Sequence, residues 1–297
     1  MTKSPYITAV DAAREILEAQ DAGRPVALIV TLESDLVPMG RRVLVDLDGS
    51  RGALGGPSWL DDQARRLGSA ALRGVMDPHR QRPADEATPG KNRPPDPPGE
   101  GVHTLGPGGQ DKDGVPVYLE LHLPRAELII VGAGHIARPL CTIGALLDFR
   151  VFVLDDRPRF ATRERFPEAE EVRRVDFSDP FHNHAIGPWS HLVLVTRGHR
   201  YDYECLRRLL HLEPPPGYIG MIGSRRRVRA TYVQLQEEGI PLSRIRTVRA
   251  PVGLDLGAET PEEIAVSVAS ELILHRRGGT GHPLADQERI VDRFFKE

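Results

Sequence analysis

Apolar positions recur along this chain in two rhythms. Over residues 10–22, Val10, Ala13, Ile16, Leu17 and Ala19 fall close to helical spacing, and Gly23 supplies the stop. "VALIVTL" (26–32) is a short unbroken apolar run and predicts a buried strand. "RRVLVDLDGS" predicts a strand running into a turn at Asp48-Gly49, and an Ala- and Leu-bearing helix follows near 59–73. "VPVYLELHL" (115–123) alternates as a strand does. From there strands are expected at 128–131, 150–154, 171–175, 191–196 and 218–222. Helices are expected near 135–147, 202–211, 224–238 and 261–276, with one more in the tail "GTGHPLADQERIVDRFFKE". Strands alternating with helices in this way build a parallel sheet with right-handed crossovers. The fold class expected is α/β, a Rossmann-like parallel sheet flanked by helices, with a smaller mixed N-terminal domain.

Composition changes this picture at one place. Residues 77–101 hold seven prolines and no Val, Ile, Leu, Met or aromatic residue. Such a stretch buries too little apolar surface to offset the entropy of ordering. The expected divisions are a first domain over 1–76, which strand 115–123 joins, a proline-rich linker over 77–112, a Rossmann-like domain over 125–277 and a tail over 278–297. With 40% hydrophobic residues the chain can bury a core. A net charge of −3 creates no field that favours nucleic acid. No apolar run approaches membrane-spanning length, and the first residues lack a secretory pattern, so a cytoplasmic location is expected. Two cysteines, Cys141 and Cys205, make neither a disulfide framework nor a four-thiolate metal site, and no metal centre is expected.

Two stretches carry chemistry. In "LIIVGAGHIARPL", Gly132, Gly134 and Ala137 fit G-x-G-x-x-A directly after an apolar strand, with His135 inside the turn. The first glycine allows a tight turn, the second lets a phosphate approach the backbone, and the small third residue lets helix and strand pack closely. The N–H groups of a helix start favour an anion there. Asp155 stands where such folds hydrogen-bond a ribose hydroxyl. Arg157 and Arg159 behind it either hold an extra phosphate or coat the surface. In "YIGMIGSRRRVRA", a strand ends in Gly223 and Ser224 caps a helix whose first turn holds Arg225, Arg226 and Arg227. Cations there oppose the helix dipole unless an anion sits among them. Thr260, Pro261 and Glu263 spell a capped helix start. Asp255 and Glu259, in the loop before it, are candidates for a pocket. His199 and Asp202, with Arg197, leave another strand at the same edge. They are candidates for acid–base work, while for Asp202 taken alone a helix N-cap is the expected role. "FHNHAIGPWSH" looks like a polar loop.

Together "LIIVGAGHIARPL", "FRVFVLDDRPRFA", "VTRGHRYD", "YIGMIGSRRR" and "VGLDLGAETPEEIAVSVASELI" resemble the XdhC/CoxI family, maturation factors of molybdenum hydroxylases such as xanthine dehydrogenase. The resemblance covers most of 125–277 and, more loosely, the first domain. It implies binding of molybdenum cofactor (molybdopterin) and its delivery to a molybdenum hydroxylase of the xanthine dehydrogenase type, with a cysteine desulfurase as a further partner and a homodimer as the assembly. It implies no catalytic turnover by the chain itself. One departure stands out: the family's Gly-Gly-Cys-x-Glu stretch is here Gly55, Gly56, Pro57, Ser58 and Trp59. A role for that missing thiol does not carry over. The rival reading from the fingerprint alone is an NAD(P)-dependent oxidoreductase.

Overall fold

The unbroken apolar runs become strands covered on both faces, and the periodic stretches become the helices that cover them. A computed structural model describes residues 5–76, 97–110 and 114–287. They fall into two compact units, divided between residues 125 and 126.

The first unit contains α1 (Ala9–Asp21), β1 (Val26–Thr31), β2 (Arg42–Val45), β3 (Ser50–Ala53), α2 (Ser58–Met76), β4 (Gly101–Gly106), β5 (Gly109–Gln110) and β6 (Val115–His122). Its six strands form an antiparallel sheet in the order β3-β2-β1-β6-β4-β5. Alternation along β1 sends Ala27 and Ile29 to the α2 side and Val26 and Leu28 to the α1 side. The range read as a linker, 77–112, therefore contains two strands. Residues 77–96 and 111–113 lie outside the described residues, while 101–106 is β4, paired with β6. Only Leu105 of β4 enters the core and Val102 is exposed, so its apolar pattern gives no strand signal.

The second unit runs β7 (Glu127–Val131), α3 (Ala137–Leu146), β8 (Arg150–Asp155), β9 (Glu171–Arg174), β10 (Ser190–Leu194), α4 (His199–Leu209), β11 (Tyr218–Met221), α5 (Arg225–Glu237), α6 (Leu242–Ile245), β12 (Val248–Arg249), α7 (Pro261–Arg277) and α8 (Leu284–Gln287). All its strand pairings are parallel, in the order β12-β11-β10-β7-β8-β9. This is the doubly wound Rossmann order, whose switch point lies between β7 and β10. α3 and α7 bury Leu140, Cys141, Val268 and Leu272 on one face, and α4, α5 and α6 bury Leu206, Leu209, Val228 and Ile245 on the other. β7 feeds both cores, Leu128 and Ile130 to one and Ile129 and Val131 to the other. α4 begins three residues earlier than expected because Gly198 takes the extended conformation of an N-cap.

The histidines read as a polar loop are partly interior. The His184 ring lies 4.6 Å from Phe152, edge-on, and 3.4 Å from the Glu127 carboxylate. His191 is only 6% exposed; its ring centroid lies 5.3 Å from Phe149 and 6.0 Å from His275, and its Nδ1–H donates to the Trp189 carbonyl at 3.1 Å. Burial, then repulsion from His275, pushes its pKa down to about 4 from an ordinary 6.5. A base whose pKa is lowered on folding stabilises the fold above its unfolded value and loses that contribution as pH falls towards the folded value. Stability to urea should therefore fall between pH 6.5 and 4, by on the order of 3 kcal/mol from this group alone. His191→Phe should flatten that limb, and equal slopes in both proteins would refute the assignment.

Candidate functional site

Four helices of the second unit start at the carboxyl edge of its sheet, and each start exposes unpaired N–H groups and a partial positive charge. α7 closes its own start: the Thr260 side chain accepts from Glu263 N–H at 3.2 Å, and the Glu263 carboxylate accepts from Thr260 N–H at 2.9 Å. The expected capping box is formed, and Glu262 adds a second acid. α4 carries Asp202 in its first turn. α3 and α5 carry no acid in theirs. Ser224 caps α5 weakly, accepting from Arg227 N–H at 3.4 Å, and no side chain caps α3. The negative charge that compensates two helices from within is missing at the other two.

The turn between β7 and α3 is built around two glycines with different tasks. Gly132 has φ +109°, and a Cβ there would lie 2.7 Å from the Val195 carbonyl oxygen beyond β10, so the residue is glycine because the two halves of the sheet meet at it. A Cβ at Gly134 would meet nothing within 4 Å. That glycine leaves open space over the backbone rather than avoiding a clash. No side chain caps the start of α3 and no acid stands in its first turn, so the N–H groups that lead into the helix have no side-chain acceptor among the described residues. Pro139 falls in the first helical turn, where its missing N–H costs no intrahelical bond. Ala137 is buried against the strand, as the fingerprint requires, while His135 is exposed at the turn.

The acids near this turn are committed elsewhere. Asp155 ends β8 almost fully buried. Its Oδ2 accepts from Ala133 N–H at 2.7 Å and Arg157 Nη2 at 2.8 Å; its Oδ1 accepts from Arg157 N–H and Nε, both at 2.9 Å. Burial alone would raise its pKa, but the Arg157 and Ala133 donors outweigh it and hold the carboxyl low. Four donors fill the directions a carboxylate offers, so Asp155 fixes the turn instead of facing a ribose. Arg157 is thereby an inward residue, with its guanidinium 3.7 Å from the Phe160 ring centroid. Asp156 accepts from both terminal nitrogens of Arg197 at 2.6 and 2.7 Å, and Arg197 also donates to Tyr201.

Asp202 is neither an N-cap nor an exposed acid. It is wholly buried, accepts from Thr196 Oγ1 at 2.7 Å and from Arg227 Nε at 2.7 Å, and so ties the end of β10, α4 and the start of α5 together. Burial raises its pKa, opposed by the Thr196 hydroxyl and the Arg227 charge. One of the three clustered arginines is thus structural, while Arg225 and Arg226 remain exposed beside Ser224 and Gly223. His199, Asp255 and Glu259 are all exposed, and among the described residues no hydrogen bond joins them to Asp202, whose partners are Thr196 and Arg227. Cys141 and Cys205 are buried, and burial pushes the Cys141 thiol up to about 12. Sequence reasoning missed the inward roles of Arg157 and Arg227 and the Thr196 hydroxyl that accompanies the latter.

The second unit is thus an α/β module of Rossmann type, with an open glycine turn and two helix starts without acids on one edge of its sheet. Residues 128–272 match the XdhC Rossmann domain, so the second unit is a domain of the XdhC type. It is 33% identical over 183 residues to the uncharacterized protein YqeB of Escherichia coli, a match covering 59% of this chain and 33% of that protein. It is 34% identical over 165 residues to a probable xanthine dehydrogenase subunit of Bacillus subtilis, covering 54% of this chain and 46% of the relative. The match thus spans less than half of either relative. A crystal structure of a protein named xanthine dehydrogenase from Bacillus halodurans superposes with a TM-score of 0.59 over 90% of this chain and 67% of that one, at 24% identity, which shows a shared fold.

The two glycines make opposite predictions. Gly132→Ala should cost roughly 2–5 kcal/mol in urea unfolding, from the strained φ and the clash with Val195. Gly134→Ala should stay within about 1 kcal/mol of the parent. Equal losses would show that both serve packing alone.

Proposed function

We propose that this chain is an accessory factor of a xanthine dehydrogenase-type system, which binds molybdenum cofactor through its phosphate and delivers it to a molybdenum hydroxylase. The observation that carries the reading is the start of α3, which no side chain caps and whose first turn holds no acid, beside a glycine whose added Cβ would meet nothing within 4 Å. Such a turn suits a phosphate approaching the backbone. Ser224, Arg225 and Arg226 start α5 on the same edge, two strand spacings away from β7, roughly 10 Å. Guanidinium groups grip phosphate by paired hydrogen bonds, which suits both a molybdopterin phosphate and a nucleotide diphosphate extension. The names of the Bacillus subtilis and Bacillus halodurans proteins support placing the chain in that system.

The molybdenum cofactor supplies redox chemistry to its client enzyme. This chain's own residues would bind, orient and release it: Gly134 and His135 by backbone N–H, Arg225 and Arg226 by charge. The commitment of Asp155 to Arg157 and Ala133 argues against a nicotinamide dinucleotide, whose ribose needs that carboxylate as an acceptor. The same commitment argues against turnover, since the two buried acids of the edge, Asp155 and Asp202, are both tied to arginines.

The test uses molybdopterin released from a purified molybdenum hydroxylase, incubated with the full chain, separated by gel filtration and quantified by pterin fluorescence. Retention is expected, with affinity falling about tenfold or more in Gly134→Val and in the Arg225→Glu, Arg226→Glu double variant. Parallel titration with NADH and NADPH should show no saturable signal. Saturable nicotinamide binding without pterin retention would replace this reading with the oxidoreductase.

A further inference from the structure

On the face of the second unit away from α3, helices α5 and α6 and the residues after β12 enclose a groove of about 320 Å³. Val228 and Ile245, both nearly buried, line its base, and the half-buried Ala250 and exposed Pro251 line it too. Val233 and Leu242 stand on its walls at 45% and 49% exposure, a high value for large apolar side chains. The Tyr232 hydroxyl donates to the Val248 carbonyl at 3.2 Å, so its polar end is satisfied within the chain. The charges lining the groove are Arg225 and Arg229, one turn apart on α5, and no carboxylate lines it. Among the described residues neither arginine is ion-paired, whereas Arg227 between them is held by Asp202. An apolar floor with cations of one sign along one wall complements a segment that is apolar and acidic together.

We propose that this groove docks an acidic segment bearing apolar side chains on a protein partner. The partner's apolar groups cover Val233 and Leu242, and its carboxylates pair with Arg225 and Arg229. That this partner is the client hydroxylase rests on the function proposed above. Docking there would bring the client beside Arg225, at the mouth of the anion site, so that partner and cofactor share one helix end.

The probe is a short fluorescein-labelled peptide alternating Asp or Glu with Leu or Phe, read by anisotropy with the full chain at low and high salt. Two controls replace its acids by lysine or its apolar residues by serine. The acidic apolar peptide should bind, more weakly at high salt, and both controls should bind at least about tenfold more weakly. Val233→Glu and Leu242→Glu, at exposed positions outside the anion site, should each lose about tenfold in affinity, and Arg229→Glu should lose affinity together with much of the salt dependence. Unchanged melting temperatures would show that the variants fold, and unchanged molybdopterin retention would separate the groove from the anion site. Equal binding of the serine or lysine control, or peptide binding indifferent to Val233→Glu and Leu242→Glu, overturns the proposal. So does a dimer in light scattering that these two variants abolish, which would make a second copy the occupant. Loss of pterin retention in every protein, with peptide binding intact, would sink the cofactor reading alone.

Discussion

Each helix that starts at the carboxyl edge of the parallel sheet must answer for the positive end of its dipole, and much of the site follows from how unevenly this chain does so. α7 answers with a capping box and two glutamates, and α4 with the buried Asp202. α3 has neither a side-chain cap nor an acid, and α5 adds three arginines to an end that is already positive. Each such cation costs a few tenths of a kcal/mol to about 1 kcal/mol at an exposed helix start. Only one of those arginines recovers that cost internally, through Asp202 and Thr196. Arg225 and Arg226 remain a net electrostatic liability in the isolated domain, and a bound anion would relieve it.

The same constraint explains where the acids went. A dinucleotide site keeps one carboxylate at the end of its second strand turned towards the ligand. Here Asp155 turns back and holds Ala133 and Arg157, so the glycine turn is braced from behind by a saturated ion pair. Asp156 does likewise with Arg197 across to the loop after β10. Breaking a buried pair is costly because the remaining charge is left without a partner. Asp202 and Arg227 are the clearest case: removal of either would strand a charge between two helices. The buried acids of the edge, Asp155 and Asp202, are thus both held by arginines, while Arg225 and Arg226 at the start of α5 stay exposed.

Much of the second unit was legible in its sequence because each level agreed with the next. The runs "LIIV", "VFVL" and "LVLV" are apolar throughout, as strands covered on both faces must be, and the glycine spacing at Gly132, Gly134 and Ala137 comes directly after the first of them. The capping box over Thr260–Glu263 was readable because its donors and acceptors lie within one turn. β4 was not, since "GVHTLG" is bounded by glycines and sends only Leu105 into the core. β12 pairs through only two residues, too few for any period. Nor was the fate of the arginines legible. Arg227 turns inward because Asp202 lies opposite it, 25 positions away in the chain, and that proximity exists only after α4 and α5 pack on the same face of the sheet.

That difference separates two kinds of site information. A turn that recognises an anion with its backbone is written in local glycine spacing, and local spacing survives into structure. A charge network is written in pairs of distant residues, so the same letters, Asp or Arg, stand for a ligand contact or an internal brace according to what the fold sets beside them. Asp155 and Arg227 illustrate the point: the acid that the fingerprint assigns to a ligand is a brace, and one arginine of the run expected around an anion is held by Asp202. The departure at Pro57 and Ser58 belongs to the first kind. α2 begins at Ser58, and Asp61 in its first turn accepts from Leu54 N–H at 2.6 Å, which ties the chain before the helix to its first turn. The chain's two cysteines, Cys141 and Cys205, both belong to the second unit, so this stretch holds its helix start with a carboxylate brace and carries no thiol.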